Sequence, residues 1–210
     1  MKPYLKVEYQ PLPFHRERSF FKALKHTTKE HGFSGPFAQC RFLASRTKDH
    51  WLQVISRIMP FNGMRVKLQK MRGVMIAKDV HIGPMVTIDD VYPYFVSIGK
   101  GSSIAGNNFI LTHSKPLEYH SEVSKAFVAP VNISKHVWIA INVTILPGVT
   151  IGEGSIVASG SVVTKSIPPL VFAAGIPAQV KKDLAPKLKK NYTDEEFNKI
   201  LEMRKREFGF

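Results

Sequence analysis

The stretch VNISKHVWIAINVTILPGVTIGEGSIVASGSVV, residues 131–163, decides the fold because a branched aliphatic residue recurs at every sixth position. This series comprises Ile133, Ile139, Ile145, Ile151, Val157 and Val163. A partner series precedes it by two residues and comprises Val131, Val137, Val143 and Val149, then Ser155 and Ser161. The six-residue spacing also occurs earlier, at Ile76, Ile82 and Ile88 and, after an offset, at Ile98, Ile104 and Ile110.

A period of six matches neither the 3.6-residue repeat of a helix nor the two-residue alternation of a strand. It is typical of a parallel β-helix, in which three short strands and three corners make one triangular coil. Each aliphatic residue then points inward and stacks on its counterpart in the next coil. Because no coil can bury its core alone, the coils must be contiguous and both ends of the stack must be covered.

The repeat divides the chain into three segments. Residues 1–72 lack it, and we predict that they form a basic, partly helical cap on the coil stack. Residues 73–182 form the β-helix, which gives the protein an all-β core. Residues 183–210 carry a C-terminal helix over roughly 194–207, because Thr193 and Glu196 have the spacing of a capping box.

Two helices are predicted inside the N-terminal segment. One begins near Ser19 and is short and amphipathic. The other begins with Asp49 as its N-cap and ends before Pro60. The stretch that starts at Met64 is expected to lead into the first coil and to plug its open end.

Two interruptions lengthen the repeat and mark candidate functional loops. Residues 89–94 stretch one step from six residues to ten, and a longer insertion at about 111–130 separates Ile110 from Ile133. A long loop in a compact domain is usually either functional or disordered. The longer loop contains His113 and His120, both of which are candidates for proton transfer.

Composition limits the location and the partners of the protein. The single Cys40 excludes an intrachain disulfide, and no apolar run approaches the length of a spanning helix. The N-terminus lacks the apolar core of a signal peptide, so we expect a cytoplasmic protein. The net charge of +14 is compatible with a nucleic acid, an anionic membrane or a polyanionic small molecule. We expect no nucleic acid, since the chain has no arginine-rich recognition helix.

Three segments resemble the hexapeptide-repeat O-acetyltransferases, namely 136–152, 157–169 and 173–178. These are the galactoside, maltose, capsule and nodulation-factor enzymes, which are related to the xenobiotic acetyltransferases. The resemblance covers about 74–182. It implies a left-handed parallel β-helix, a homotrimer with active sites between neighbouring copies, and no metal. It also implies acetyl-coenzyme A as the acyl donor and a hydroxyl of a sugar or saccharide-like molecule as the acceptor.

The resemblance also assigns the reacting groups. His113 would be the general base, with His120 as its competitor and a surface histidine as the plain alternative. Asp89 or Asp90 would bind an acceptor hydroxyl, although an Asx turn accounts for these residues equally well. Trp138 would form a wall of the acceptor site, or else pack in the core. The backbone amide of Ile141 would stabilise the oxyanion.

Coenzyme A would lie in a groove between two copies. The residues that the resemblance assigns to this groove and to the phosphates are Ala140, Ser159, Thr164, Lys165, Lys181 and Lys182. For the lysines, the plain alternative is a solvated basic surface.

Other functions remain open at this stage. The same fold and donor would serve an N-acyltransferase that acts on an amino sugar. A non-catalytic scaffold, or a binder of membrane surfaces through the basic N-terminus, is a further alternative. A zinc site is not expected, because His113, His120 and His136 lack the spacing of a three-histidine site.

Overall fold

A computed structural model describes residues 8–12 and 19–209, apart from the side chain of Phe20. The remainder of the predicted basic cap, residues 1–7 and 13–18, lies outside the described residues. The helices are α1 (Phe20–Glu30), α2 (Ala38–Ile58), α3 (Asn62–Met71), α4 (Ala185–Leu188) and α5 (Asp194–Phe208). The strands are β1 (Gln10–Pro11), β2 (Met75–Ile76), β3 (His81–Ile82), β4 (Thr87–Ile88), β5 (Val96–Ile98), β6 (Ser103–Ile104), β7 (Phe109–Ile110), β8 (His113–Ser114), β9 (Phe127–Val128), β10 (Val131–Ile133), β11 (Trp138–Ile139), β12 (Thr144–Ile145), β13 (Thr150–Ile151), β14 (Ile156–Val157), β15 (Val162–Val163), β16 (Val171–Ala174) and β17 (Gln179–Asp183).

Short strands form the three faces of a triangular prism. Face 1 has the strand order β13-β10-β5-β2, face 2 has β17-β16-β14-β11-β6-β3, and face 3 has β15-β12-β7-β4. The neighbouring strands within each face are parallel, except that β16 and β17 of face 2 are antiparallel. Successive turns of the chain pass from face 1 to face 2 to face 3, so the predicted parallel β-helix is confirmed.

The register of the strands stacks the repeated aliphatic residues on one another. On face 1, Ile98 pairs with both Ile76 and Ile133. The aliphatic residues of the repeat form one continuous buried cluster along the prism. Complete burial of such a side chain stabilises the fold by roughly 1.5–3 kcal/mol. This ladder holds the corners of neighbouring coils in fixed alignment, and the corners carry the candidate site.

The helices α2 and α3 cover the first coil through polar side chains. Asn62 donates to the carbonyl oxygen of Val80 at 3.1 Å, and Arg65 Nε donates to that of Ile82 at 2.6 Å. These carbonyl groups would otherwise form an unpaired sheet edge. The helices differ from the sequence prediction, because α2 begins at Ala38 and buries Asp49 in its middle. The lead-in predicted after Met64 is part of a third helix, α3.

The other end of the stack is closed by strands and helices. β16 joins face 2 beside β14, and β17 pairs with it in antiparallel orientation. The β-helix therefore extends along face 2 as far as β16. Helix α5 begins at the predicted capping box, in which Thr193 and Glu196 exchange hydrogen bonds. Phe197 and Ile200 pack this helix against Leu170.

Candidate active site

Both interruptions of the repeat leave the prism at the same edge, between face 3 and face 1, which we call the 3–1 edge. Asp89 follows β4, and His113 follows β7 after two residues. The two strands are neighbours, with Ile88 paired to Ile110. The coil register thus brings together two residues that lie 24 positions apart.

The closest contact at this edge joins His113 and Asp89. Nδ1 of the imidazole lies 2.6 Å from Oδ2 of the carboxylate. An ionised carboxylate only accepts hydrogen bonds, so the neutral imidazole carries its proton on Nδ1. Nε2 is then unprotonated and can accept a proton. The His113 side chain is 28% exposed, which leaves it accessible to a substrate, whereas Asp89 is fully buried.

The backbone fixes the position of the carboxylate. Oδ1 of Asp89 accepts hydrogen bonds from the amides of Val91 and Tyr92, at 2.8 and 2.9 Å. Oδ2 accepts one from the amide of Thr112 at 2.8 Å. Burial alone would raise the pKa of Asp89, but the hydrogen bond and electrostatic attraction of His113, together with the amides of Tyr92 and Thr112, outweigh it and lower the pKa to about 2. Asp89 is therefore ionised at neutral pH and can orient the imidazole.

This arrangement bears on one predicted role. Either Asp89 or Asp90 was predicted to bind an acceptor hydroxyl, with an Asx turn as the equal alternative. The Asp89 carboxylate is buried, and all its recorded contacts are with His113 and backbone amides, among them the Val91 amide as in an Asx turn. Asp90, the alternative for that role, has an exposed carboxylate that lies 3.6 Å from Arg72. The two neighbouring carboxylates thus have different surroundings, and of the two it is Asp89 that contacts the histidine.

Aromatic rings form one wall around the imidazole. The Tyr92 ring meets His113 edge-on, with 5.5 Å between the ring centres. On its other side Tyr92 stacks on His31, which in turn stacks on Phe42 of α2. Burial, and then the negative charges of Glu30 and Asp89, raise the pKa of Tyr92 to about 12. Tyr92 therefore stays neutral and acts as a wall of the site.

Two arginines from the helical cap hold the corner that contains Asp89. Arg72 is buried and donates to the carbonyl oxygens of Ile88, at 3.0 Å, and Asp89, at 2.8 Å. Arg46 donates to the carbonyl oxygens of Asp90, at 2.7 Å, and Val91, at 3.0 Å. Sequence reasoning missed both residues, because nothing in residues 1–72 indicates which corner the cap contacts.

The long loop is a β-hairpin with His113 at its base. β8 pairs with β9 in antiparallel orientation, and β1 adds a third strand next to β9. His120 lies in the exposed outer part of this loop, where its recorded ring contact is with the neighbouring Tyr119. Of the two candidate bases, only His113 is oriented by a carboxylate in the described contacts.

The remaining predicted residues lie at other parts of the prism. Thr164 and Lys165 follow β15 at the 3–1 edge, two coils beyond His113 and about 10 Å away along the axis. Ala140, Ile141 and Ser159 lie at the 2–3 edge, between face 2 and face 3. In the described part of the chain the amide of Ile141 donates no hydrogen bond, so it is free to bind a ligand oxygen. One copy therefore does not bring the Ile141 amide to His113.

Face 2 carries the last three predicted residues, Trp138, Lys181 and Lys182. This face is opposite the 3–1 edge, so within one copy Trp138 and His113 are directed away from each other. The exposed Trp138 ring lines a cavity of 480 Å³ between face 2 and the C-terminal helices. Lys135, Glu153 and Tyr192 also line it. Both lysines of β17 are exposed.

No group of three or more histidine, cysteine, aspartate or glutamate side chains that could hold a metal ion occurs among residues 8–12 and 19–209. The chemistry that the described site supports is proton transfer by an oriented histidine at the edge of a β-helix.

Comparison with known proteins identifies the class. The model of the bacterial transferase hexapeptide family, with six repeats, matches residues 130–165. The putative acetyltransferase YvoF of Bacillus subtilis is 32% identical over 141 residues, which are 65% of this chain and 78% of that protein. This chain therefore belongs to the hexapeptide-repeat acetyltransferase family.

Two further relatives have established names. The galactoside O-acetyltransferase of Escherichia coli is 37% identical over 124 residues, which are 54% of this chain and 59% of the relative. A solved structure of galactoside acetyltransferase in complex with coenzyme A superposes with a TM-score of 0.54 and 25% identity, over 72% of this chain and 86% of that one. The chain spans about half the length of two curated relatives that it matches, 59% of one and 41% of the other.

Proposed function

We propose that this protein transfers an acetyl group from acetyl-coenzyme A to a hydroxyl group of a saccharide-like acceptor. The observation that carries the proposal is the 2.6 Å contact between His113 Nδ1 and Asp89 Oδ2, which leaves Nε2 available as a base. Membership of the acetyltransferase family supports the donor and the reaction type. The coenzyme A complex of a galactoside enzyme, which is 25% identical, supports the same donor. The family also implies that the coil is left-handed.

In the proposed reaction the acceptor hydroxyl lies next to Nε2 of His113. The imidazole removes the hydroxyl proton while the oxygen attacks the thioester carbonyl carbon, since a hydroxyl is a weak nucleophile near neutral pH. The tetrahedral intermediate then collapses, the carbon–sulfur bond breaks, and the coenzyme A thiolate takes the proton from His113. Asp89 stabilises the imidazolium that forms between these two steps. No acyl-enzyme is needed in this scheme, and Cys40 is an exposed residue of α2, outside the coil.

We propose that each site is completed by a second copy in a homotrimer. The base belongs to the 3–1 edge, whereas the unpaired Ile141 amide and Ser159 belong to the 2–3 edge of the same prism. A cyclic arrangement that brings the 3–1 edge of one copy against the 2–3 edge of the next would form three equal sites. Exposed apolar side chains along the 2–3 edge and face 3 support such an interface, and these are Met85, Phe109, Ile141 and Ile176.

The groove between two copies would hold the donor. In this arrangement the Ile141 amide stabilises the oxyanion, and Ala140, Ser159, Thr164 and Lys165 line the pantetheine arm. Lys181 and Lys182 would contact the phosphates, for which lysine is a suitable point charge. The acceptor would contact Trp138, and Asp90 keeps an exposed carboxylate for a hydroxyl.

The first experiment is an acceptor screen that follows the release of the coenzyme A thiol. The panel pairs hydroxyl sugars with the matching amino sugars, because transfer to the amine alone would mean N-acetylation instead. Replacement of the base by His113→Ala should lower kcat by roughly 10²–10⁴-fold with little change in coenzyme A binding. His120→Ala is the matched control from the same loop and should keep normal activity. Full activity of His113→Ala would refute the proposal.

A further inference from the structure

The C-terminal half of the long helix α2 reverses the usual arrangement of polar and apolar sides. The first turns of α2 bury the apolar Ala38 and Phe42, whereas the buried residues further along are Asp49, Gln53 and Ser56. Its outer side carries Trp51, which is 58% exposed, and Ile58, which is 70% exposed. A surface helix normally buries its apolar stripe and exposes its polar side. The outer side of α2 therefore has the character of a surface that something covers.

The next helix repeats the reversal. In α3 the buried residues are Arg65 and Gln69, whereas Met64 and Met71 are exposed. Phe61, immediately before α3, is 67% exposed. Together these side chains make what we call the outer cap face, and its members are Leu43, Trp51, Ile55, Ile58, Phe61, Met64 and Met71.

The buried polar residues of α2 and α3 form hydrogen bonds with one another and with the first coil. Gln69 donates to Gln53 and Ser56, and Gln53 donates to the carbonyl oxygen of Val86 at the open edge of the first coil. The inner sides of both helices thus face the coil, and their outer sides face away from it. No contact within the fold explains the apolar outer side, and a large exposed apolar patch marks an interaction surface.

The charge around this face indicates what covers it. Residues 1–72 contain 15 Lys and Arg against 4 Asp and Glu, so they hold +11 of the chain's formal +14. Between residues 19 and 72 the carboxylates are Glu30 and Asp49, and Asp49 is buried. Exposed cations accompany the apolar residues on the same helices, at Arg41 and Lys48 on α2 and at Lys67 and Lys70 on α3.

We propose that the outer cap face binds the surface of an anionic phospholipid bilayer, with α2 and α3 lying in the interface. Apolar side chains enter the acyl boundary and the cations meet the phosphate headgroups, as in other interfacial amphipathic helices. Trp51 suits this environment, because an indole is both apolar and a hydrogen-bond donor. In the described part of the chain no helix has the combination of length and apolar character needed to span the bilayer, so the contact is peripheral.

A second copy of the chain could cover the outer cap face instead, but the positive charge of residues 1–72 argues against this contact. Two outer cap faces in contact would bring together two segments with a formal charge of +11 each, because each has 15 Lys and Arg against only 4 Asp and Glu. The membrane contact also does not depend on the proposed chemistry. Vesicle binding needs neither donor nor acceptor, so failure of either proposal leaves the other standing.

Flotation with lipid vesicles tests this proposal. We expect binding to vesicles that contain phosphatidylglycerol, weaker binding to pure phosphatidylcholine, and weakening by salt, since exposed charges are screened. The combined change Trp51→Gln, Ile55→Gln and Ile58→Gln should lower binding by about tenfold or more. A second variant, Lys67→Glu with Lys70→Glu, reverses two charges, leaves the apolar residues in place and should also weaken binding.

The matched control carries Leu117→Gln and Val123→Gln, which are exposed apolar residues of the hairpin loop. It should bind vesicles like the wild type. Light scattering of the triple variant distinguishes contact with a membrane from contact with a second copy. An unchanged oligomer mass supports membrane binding by the outer cap face. Undiminished vesicle binding by both cap variants would overturn the proposal. A change in oligomer mass on mutation of the outer cap face would overturn it too, in favour of contact between copies.

Discussion

The substitution Asp89→Asn tests how the carboxylate controls the imidazole. The aspartate accepts four hydrogen bonds, from His113, Thr112, Val91 and Tyr92. An asparagine must turn its NH₂ group toward one side of this site. If the NH₂ group faces His113, it donates to Nδ1, the imidazole proton moves to Nε2, and the base is lost. The same NH₂ group would also face the Thr112 amide, which is a hydrogen-bond donor too, so that hydrogen bond would be lost.

The expected magnitude follows from the pKa of Asp89. This pKa is about 2 in the folded protein, against an ordinary value of 3.8. A lowered pKa means that the carboxylate stabilises the fold at pH values above about 4, and that this contribution is lost as the pH falls through 2. At neutral pH it is fully present and amounts to about 2 kcal/mol. We expect Asp89→Asn to lose about this much stability and to lower kcat by roughly 10²–10⁴-fold.

Three measurements check the prediction. Denaturant unfolding gives the stability, and thiol release with the best acceptor from the screen gives kcat. Nitrogen-15 NMR at about pH 8, above the reference histidine pKa of about 6.5, reports which imidazole nitrogen carries the proton. The spectrum needs no acceptor, and the His113→Ala variant assigns the signal. The matched control is Asp90→Asn, which makes the same chemical change at an exposed carboxylate.

The result that would refute this reasoning is specific. If Asp89→Asn keeps the proton on Nδ1 and keeps its kcat, then the carboxylate does not set the tautomer. If Asp90→Asn has the larger effect on kcat, then the acceptor contact matters more than the orientation of His113.

Two further predictions concern the cap and the coil. Arg46→Ala should lower kcat by about tenfold without changing the KM for acetyl-coenzyme A, because Arg46 holds the corner next to Asp89. Arg41→Ala, on the same helix, is the control, and equal kcat in the two variants would exclude a positioning role. Gly152→Ala should cost roughly 1–3 kcal/mol in urea unfolding, because a Cβ atom would lie 2.3 Å from the backbone nitrogen of Pro169. Gly63→Ala should instead stabilise the protein, because Gly63 is an exposed position of α3 where a Cβ atom would meet no atom within 4 Å. An unchanged stability of Gly152→Ala would show that the corner can relax.

The coil was predictable from sequence because one physical requirement repeats in every turn of the chain. Each strand must bury its aliphatic residue at the same position, so Ile133 and Ile139 carry the same information as their counterparts one coil away. The capping box at Thr193 was predictable for a similar reason, since it is a local pattern that acts over three residues.

The role of Asp89 was harder to predict because it depends on register across an insertion. A usable signal did exist. Asp89 follows Ile88 and His113 lies three residues after Ile110, so pairing of these two isoleucines places both residues at one corner. The extent of α2 could not be predicted in this way. Its buried Asp49 resembles an N-cap, and its outer apolar side obscures the usual helix pattern.

The two excursions at the 3–1 edge have a consequence for the evolution of such proteins. The flat sides of a coil are fixed by the coils above and below, so an inserted residue there would displace every later rung. A corner can lengthen and return to the same strand, as happens after Ile88 and after Ile110. The loops at one edge can thus change in length and sequence while the strands on either side keep their register.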